Sequence, residues 1–376
     1  MKIDSLKCID DSWQVSESQI DNKEDANIVF LFGDSDAVKS ASNFEAVKAM
    51  YPNADIVGTS SSGNIQGIEI SDAVIIGTAV QFEKARTEIS IVDFTSADDV
   101  EQQAGAMIDQ LPKENLKHVF VLSEGLLING SDLVRGLNSK AIGFTISGGM
   151  AGDGERFETT LIIANEVARK NRAVAIGFYG DVTISTAYHA GWSPFGDDKI
   201  VTKSRKNVLL ELNNRPALEI YKEYLGEFAE DLPYSGMRFP LNIKANEESD
   251  PVIRTLLAID EEENSIIFAG DIPEGYIARL MKPDMDVLID GSEVFTKDIS
   301  IPNTNTALGL TVSCVGRRVV MKELIEEELE SINEVLGDNV YLSGFYSYGE
   351  ISPFHDDQQT CQLHNQTITL TAVYEN

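Results

Sequence analysis

Several residue groups in this 376-residue chain have the types and spacing that chemistry requires. The stretch Ser147–Gly154 carries Gly148, Gly149, Gly152 and Gly154 beside Asp153. Successive N–H groups in a glycine-rich turn can cradle an anion such as a ligand carboxylate. No Lys-Ser/Thr follows, so this is no phosphate loop of the Walker type, and it opens no clean strand–helix unit for a dinucleotide. The alternative is a packing turn capped by the Asp153 carboxylate. His189 ends a stretch from Val182 in which alternation puts Thr183, Ser185, Ala187 and His189 on one face. Gly191 and Trp192 follow at once. A neutral imidazole among small side chains, beside an aromatic wall, could ligate a haem iron. The other reading of that face is solvent exposure or hydrogen bonding. Cys314 and the run His355, Asp356, Asp357, Cys361 and His364 offer a nucleophile or zinc-type ligands, although their spacing matches no closed metal site and no hydrolase motif.

The elements that must position these groups are read from periodicity. Asn27–Phe32 is a buried strand, followed by a helix from about Asp36 to Met50 that Pro52 stops. Strands are expected at 55–59, 73–80, 87–92, 118–122, 141–146, 159–164, 173–178 and 182–189. Ser96 with Asp99 reads as a capping box ahead of a helix that aligns Val100, Ala104, Met107, Ile108 and Leu111. In the second half, 252–259 and 265–269 form a hairpin, with further strands at 276–281, 306–313, 341–346 and 367–374. A helix near 322–336 turns Ile325, Leu329, Ile332 and Leu336 inward and many glutamates outward. The alternation of strands and helices predicts an α/β (α+β) class of two domains, with mixed sheets and helices layered on them. The expected organisation is a polar segment 1–26, a domain 27–215 and a domain 216–376. No internal repeat is visible.

Composition narrows the function. Lys plus Arg is 30 and Asp plus Glu is 61, a net charge of −31. That field repels nucleic acid and anionic membranes. Three widely spaced cysteines suggest reduced thiols rather than a disulfide framework. No apolar run reaches membrane-spanning length and residues 1–25 do not read as a secretory signal, so a cytoplasmic protein is expected.

Several stretches in order resemble the FIST family. Leu122–Leu126, Asn129–Ser131 and Gly149–Asp153 resemble motifs of its N-terminal domain, as do Gly58–Gly63 and His189–Gly196. The segments around Val252–Arg254, Pro273–Gly275, Ser313–Arg317 and Gly344–Ile351 resemble its C-terminal domain. The resemblance implies an intracellular sensor that binds a small ligand, amino acids among the candidates. Its partners would be signalling proteins such as a histidine kinase, a diguanylate cyclase or a phosphodiesterase. One subset of the family binds haem and senses nitric oxide, which would make His189 the iron ligand. On this reading the chain is not an enzyme, and ligand contacts are expected from Gly148, Gly149, Gly152, Asp153, Trp192, Arg254, Arg317 and Glu350. An arginine there could clamp a carboxylate in a bidentate fork. Equally, arginine and glutamate could pair with each other and pin the domain. The rival is an enzyme using Cys314 or the His355–His364 cluster.

Overall fold

In the computed structural model, residues 1–9, 12–72, 74–297, 299, 301–302, 305–354 and 359–376 are described. The architecture is mixed α/β, with three six-stranded sheets and one nine-stranded sheet. No described helix is long and apolar enough to cross a membrane.

The three six-stranded sheets are built alike. Each has a parallel pair of strands joined through helix: Ile28–Gly33 with Asp55–Ser60, Leu116–Ser123 with Thr145–Met150, and Ala307–Cys314 with Val340–Ser347. Such a parallel pair needs a crossover, and here helices supply it: Ala41–Met50, Gly130–Asn138 and Ile325–Leu336. The first strand of each pair has an antiparallel neighbour, respectively Ile75–Gln81, Arg172–Gly180 and Ile368–Glu375. Outside these lie Lys2–Ile9, Ala85–Asp93 and Val182–His189. The chain therefore passes three times through one topology.

The repeats are interlocked. The short strand that follows each parallel pair leaves its own sheet and pairs with the next: Asn64–Gln66 on Val340–Ser347, Ile162–Ala164 on Asp55–Ser60, and Gly349–Pro353 on Thr145–Met150. Strands from either side of residue 216 thus share sheets. A repeat absent from the sequence reading is present in the backbone, marked by Gly58, Gly148 and Gly344. Each of these sits opposite the equivalent residue of its parallel partner, and a Cβ there would run into the carbonyl oxygen of Leu31, Val121 or Thr311. Between the sheets lies a core drawn from all three repeats, including Phe30, Phe32, Phe120, Leu122, Leu310 and Phe345. Phe32 and Phe345 stack across it at 5.0 Å.

The nine-stranded sheet is an insertion in the third repeat, between His189 and Ala307. It has its own core around Leu209, Leu218, Tyr221, Ile243, Ile266 and Phe268.

Local differences from the sequence reading have simple causes. The helix expected over 36–50 breaks into Ser35–Val38 and Ala41–Met50, because the chain turns at Lys39–Ser40. Ser96 accepts from the Asp98 N–H instead of capping the helix, which begins at Val100 after Asp99. Three helices escaped periodicity: Gly130–Asn138, Met285–Thr296 and Val315–Met321. All are short or carry glycine, and two follow directly on a strand end or loop where the apolar pattern changes period.

Candidate functional site

In open α/β sheets the carboxyl ends of parallel strands are where loops can form a ligand crevice. Here the carboxyl ends of all three second strands meet, and backbone bonds cross from repeat to repeat in a ring. The Ser62 N–H donates to Tyr346 O at 2.8 Å, the Gly152 N–H to Ser60 O at 3.1 Å, and the Tyr348 N–H to Met150 O at 3.1 Å. The three chains come so close that a Cβ on Gly152 would run into Ser62. We call this convergence the mouth.

Two buried carboxylates shape the loops around it. Asp153 accepts from the N–H groups of Phe157, Glu158 and Thr159 at 2.7–3.0 Å, and from the Tyr348 hydroxyl. That bonding holds Phe157 at φ 54°, a conformation a bulky residue seldom adopts. Phe157, 43% exposed, stacks on Tyr348 with ring centroids 4.6 Å apart. Burial and the neighbouring Asp153 carboxylate push the Tyr348 phenol up, so it stays protonated and donating. Glu124 does for its loop what Asp153 does, accepting from Leu126, Leu127 and Ile128.

Two arginines flank the mouth. Arg318 donates to Ser62 O at 2.7 Å and to both oxygens of Asp72. Ser62 is tied in turn to Gly154, whose N–H donates to the Ser62 hydroxyl oxygen at 3.0 Å. On the other side, Arg156 donates to Asp153 O at 2.7 Å, to Asp34 at 2.6 Å and to Ser35 at 3.1 Å. Both ion pairs are partly open to solvent. Exposed pairs of this kind contribute roughly 0–1 kcal/mol, so a ligand can exchange with them at little cost.

The residues expected to bind ligand divide into two sets. Gly152 and Asp153 lie at the mouth. Gly148 and Gly149 lie within the strand Thr145–Met150 and face packed neighbours, Val121 and Val312 respectively, so they are strand and not loop. Trp192, Arg254, Arg317 and Glu350 lie beneath the mouth, where the insertion meets the repeats. Arg254 is buried and donates to the carbonyls of Leu363, Ile253 and Asp271; burial lowers its pKa to about 10. Arg317 is fully buried, paired with Glu328, and donates also to the carbonyls of Ala190, Gln366 and Leu288. Its partner is thus Glu328 on the inward face of the acidic helix, not Glu350. Trp192 donates from its indole to Gln366 O at 2.9 Å. Glu350 accepts from the Ser347 hydroxyl at 2.5 Å and from the Thr367 N–H and hydroxyl at 3.2 and 2.9 Å. Burial raises its pKa to about 8 against the pull of those bonds. Trp192, Arg254 and Arg317 join the insertion to the third repeat through donors already engaged, and Glu350 bonds within that repeat. The arginines suited to a ligand are Arg156 and Arg318, which the sequence reading did not single out; Arg318, next to Arg317 in the motif, was the available signal.

Burial pushes the Cys314 thiol well above its ordinary value, so its thiolate is scarce near neutrality. His364 is buried, 3.1 Å from Ser352 O and against the Tyr188 ring, and Cys361 is bonded to Asn138. His355, Asp356 and Asp357 lie outside the described residues. Among the described residues, no three His, Cys, Asp or Glu are grouped as for a metal ion.

The surroundings of His189 do not fit haem. Its Nε2 lies 3.0 Å from Val287 O and its ring lies parallel to Phe295 at 6.1 Å. The helix Met285–Thr296 covers the face that the sequence left clear, and Gly291 comes so close that a Cβ would run into the imidazole. The small residues beside His189 admit a helix, where the sequence reading placed a porphyrin.

Two family models match the chain, the FIST N domain over residues 27–215 and the FIST C domain over 217–353. FIST domains are signal-transduction sensor domains that bind small ligands. An uncharacterized protein of Methanocaldococcus jannaschii is 22% identical over 349 residues, which cover 86% of this chain and 65% of that protein. The chain therefore spans less than two thirds of that relative. Among solved structures, a cyanuric acid hydrolase from A. caulinodans superposes over 94% of this chain and 91% of its own, at 8% identity and a TM-score of 0.33, too remote to carry an argument.

Proposed function

The chain belongs to the FIST family, and from that premise we propose that it senses a small zwitterion or carboxylate, such as an amino acid, at the mouth between Arg156 and Arg318. The observation that carries this reading is the pairing of two half-open ion pairs, Arg156–Asp34 and Arg318–Asp72, on either side of the Ser62–Gly154 junction. A ligand carboxylate could take an arginine fork and a ligand ammonium the released aspartate, each group exchanging like for like. The stacked Phe157–Tyr348 pair offers an apolar wall for the rest of the ligand. Binding shifts a conformational equilibrium that a cytoplasmic signalling partner reads, a histidine kinase or cyclic-dinucleotide enzyme in the family pattern. The role is that of a binding protein and not an enzyme. Haem at His189 would require the Met285–Thr296 helix to leave the face it covers.

The test is calorimetry and thermal shift against a panel of amino acids and small carboxylates. A ligand that binds N but not U raises the melting temperature by mass action. The expected result is at least one binder whose affinity falls about tenfold or more in Arg156→Gln or Arg318→Gln, the cost of a lost charge-assisted bond. No binder at millimolar concentration, or binding indifferent to both substitutions, overturns the site.

A further inference from the structure

The insertion carries an exposed aromatic and acidic turn on the stretch Gly226–Arg238, made of two 3-10 segments, Gly226–Asp231 and Tyr234–Arg238. Phe228 is 50% exposed and Tyr234 53% exposed. Contiguous exposed apolar surface rimmed by polar residues marks interaction sites, and here two large aromatic rings stand open on one short stretch. The Phe228 ring does not lie loose. Phe228 packs on Phe239 at 5.4 Å, and Phe239 on Phe195 at 5.8 Å, so an aromatic ladder runs down toward the insertion's core. The Ser235 hydroxyl donates to Phe228 O at 2.7 Å and fixes one segment to the other. A surface whose side chains are already ordered loses little entropy when a partner docks.

The charge around the rings selects the partner. Glu227, Glu230 and Asp231 are exposed on the same stretch, and none is ion-paired with a described lysine or arginine. Arg238 is the one cation of the thirteen residues in 226–238. The flanking cation Lys222 is already engaged by Glu261. An apolar centre with an uncompensated acidic rim is complementary to a segment of apolar and basic residues.

We propose that the Gly226–Arg238 turn is a docking surface for a basic amphipathic segment of a partner protein, with Phe228 and Tyr234 as its anchors. The turn is also wired to the repeats. Met237 O accepts from the Gln366 side chain at 3.0 Å, and the adjoining Thr367 binds Glu350, two residues from Tyr348 at the mouth. The docking surface does not depend on the ligand reading above; only its regulation by ligand would.

The full-length protein is titrated into a fluorescent synthetic peptide of alternating lysines and leucines with one tryptophan, and anisotropy is read at two salt concentrations. Phe228→Ala/Tyr234→Ala should weaken binding by about tenfold or more, as loss of anchor residues does. Glu227→Gln/Glu230→Gln/Asp231→Asn should weaken it at low salt. The same loss of three charges on the acidic helix, as Glu326→Gln/Glu327→Gln/Glu330→Gln, should have a clearly smaller effect. Circular dichroism checks that each variant folds. An absence of peptide binding, an aromatic-pair variant that binds like wild type, or a control triple as harmful as the target triple each overturns the proposal. A concentration-dependent dimer in sedimentation that is lost in the aromatic-pair variant would overturn it too, assigning the turn to a second copy. Adding an amino-acid ligand to the same titration tests the wiring separately, since binding without ligand is unaffected by failure of the ligand reading.

Discussion

Glu350 is a buried carboxyl group with no ion-pair partner among the described residues, and that makes its cost measurable. Its pKa rises from the ordinary 4.5 to about 8 because burial penalises the charged form. At about 1.4 kcal/mol per pH unit, that displacement corresponds to on the order of 5 kcal/mol. The folded chain holds this proton up to about pH 8, whereas the unfolded chain releases it near 4.5. Glu350 therefore imposes no penalty below pH 4.5, and stability is lost progressively as pH rises from there to about 8. Glu350→Gln should remove that slope. Its amide can donate to the Ser347 hydroxyl and its oxygen can accept from Thr367, reproducing the bonds of the protonated acid. His118 slopes the other way. It is buried between the Thr145 and Ser147 hydroxyls with its pKa lowered to about 3, so its contribution grows with pH up to the ordinary 6.5. Comparing wild type with variant at each pH cancels that term. Urea unfolding at pH 5, 7 and 9 should show the variant gaining several kcal/mol on wild type between the first and last. A difference between the two proteins that does not change with pH would refute the reasoning.

Two further sets of substitutions test the framework. Arg317→Met or Glu328→Gln alone strands a fully buried charge and should cost roughly 3–5 kcal/mol, while Arg317→Met with Glu328→Leu should recover much of it; denaturant melts decide, and additive losses would exclude a coupled pair. Alanine at Gly58, Gly148 or Gly344 should be severely destabilising at all three positions, beyond the ~1 kcal/mol expected at Gly67, which has φ 60° but open space; thermal melts that rank Gly67 with the others would contradict the repeat.

Much of the fold was legible because strands advertise themselves locally. The run Asn27–Phe32, the alternation of Val182–His189 and the hairpin of 252–259 with 265–269 needed only period and punctuation, although Val252–Arg254 turns to Leu241–Lys244 and only Leu256–Asp260 pairs with Ser265–Phe268. The motif residues were legible as a set but not in their roles. Arg317 and Glu350 both stand in motifs of the second half, yet the partner of Arg317 is Glu328, which residue type alone groups with the solvent-facing glutamates of its helix. It falls on the buried face with Ile325, Leu329 and Ile332 because it follows Ile325 by three residues and precedes Ile332 by four. The face beside His189 was misread for the opposite reason. Small side chains signal room, and only the tertiary fold says whether a helix or a ligand fills it.

The repeat was illegible for a more general reason. What recurs is backbone topology, which asks little of sequence beyond alternation and one glycine per repeat at Gly58, Gly148 and Gly344. Even the core layers differ between repeats. Thr78 bonds Ser343 and Ser147 bonds Thr371, each at 2.7 Å between hydroxyls, while Val57 and Ile176 occupy the third pair of equivalent positions as plain hydrocarbon. At the mouth the divergence is complete: the three equivalent residues in the crossed backbone ring are Ser62, Gly152 and Tyr348. A symmetric frame with an asymmetric mouth separates two demands. The ring of backbone bonds fixes where the loops stand whatever their side chains. The side chains at the mouth are then free to differ, giving one tyrosine to hold Asp153, one serine to hold Gly154, and one glycine to let them meet. The ligand proposed for this site is asymmetric, and three unlike loops offer its unlike groups different contacts where three identical loops would offer each the same one.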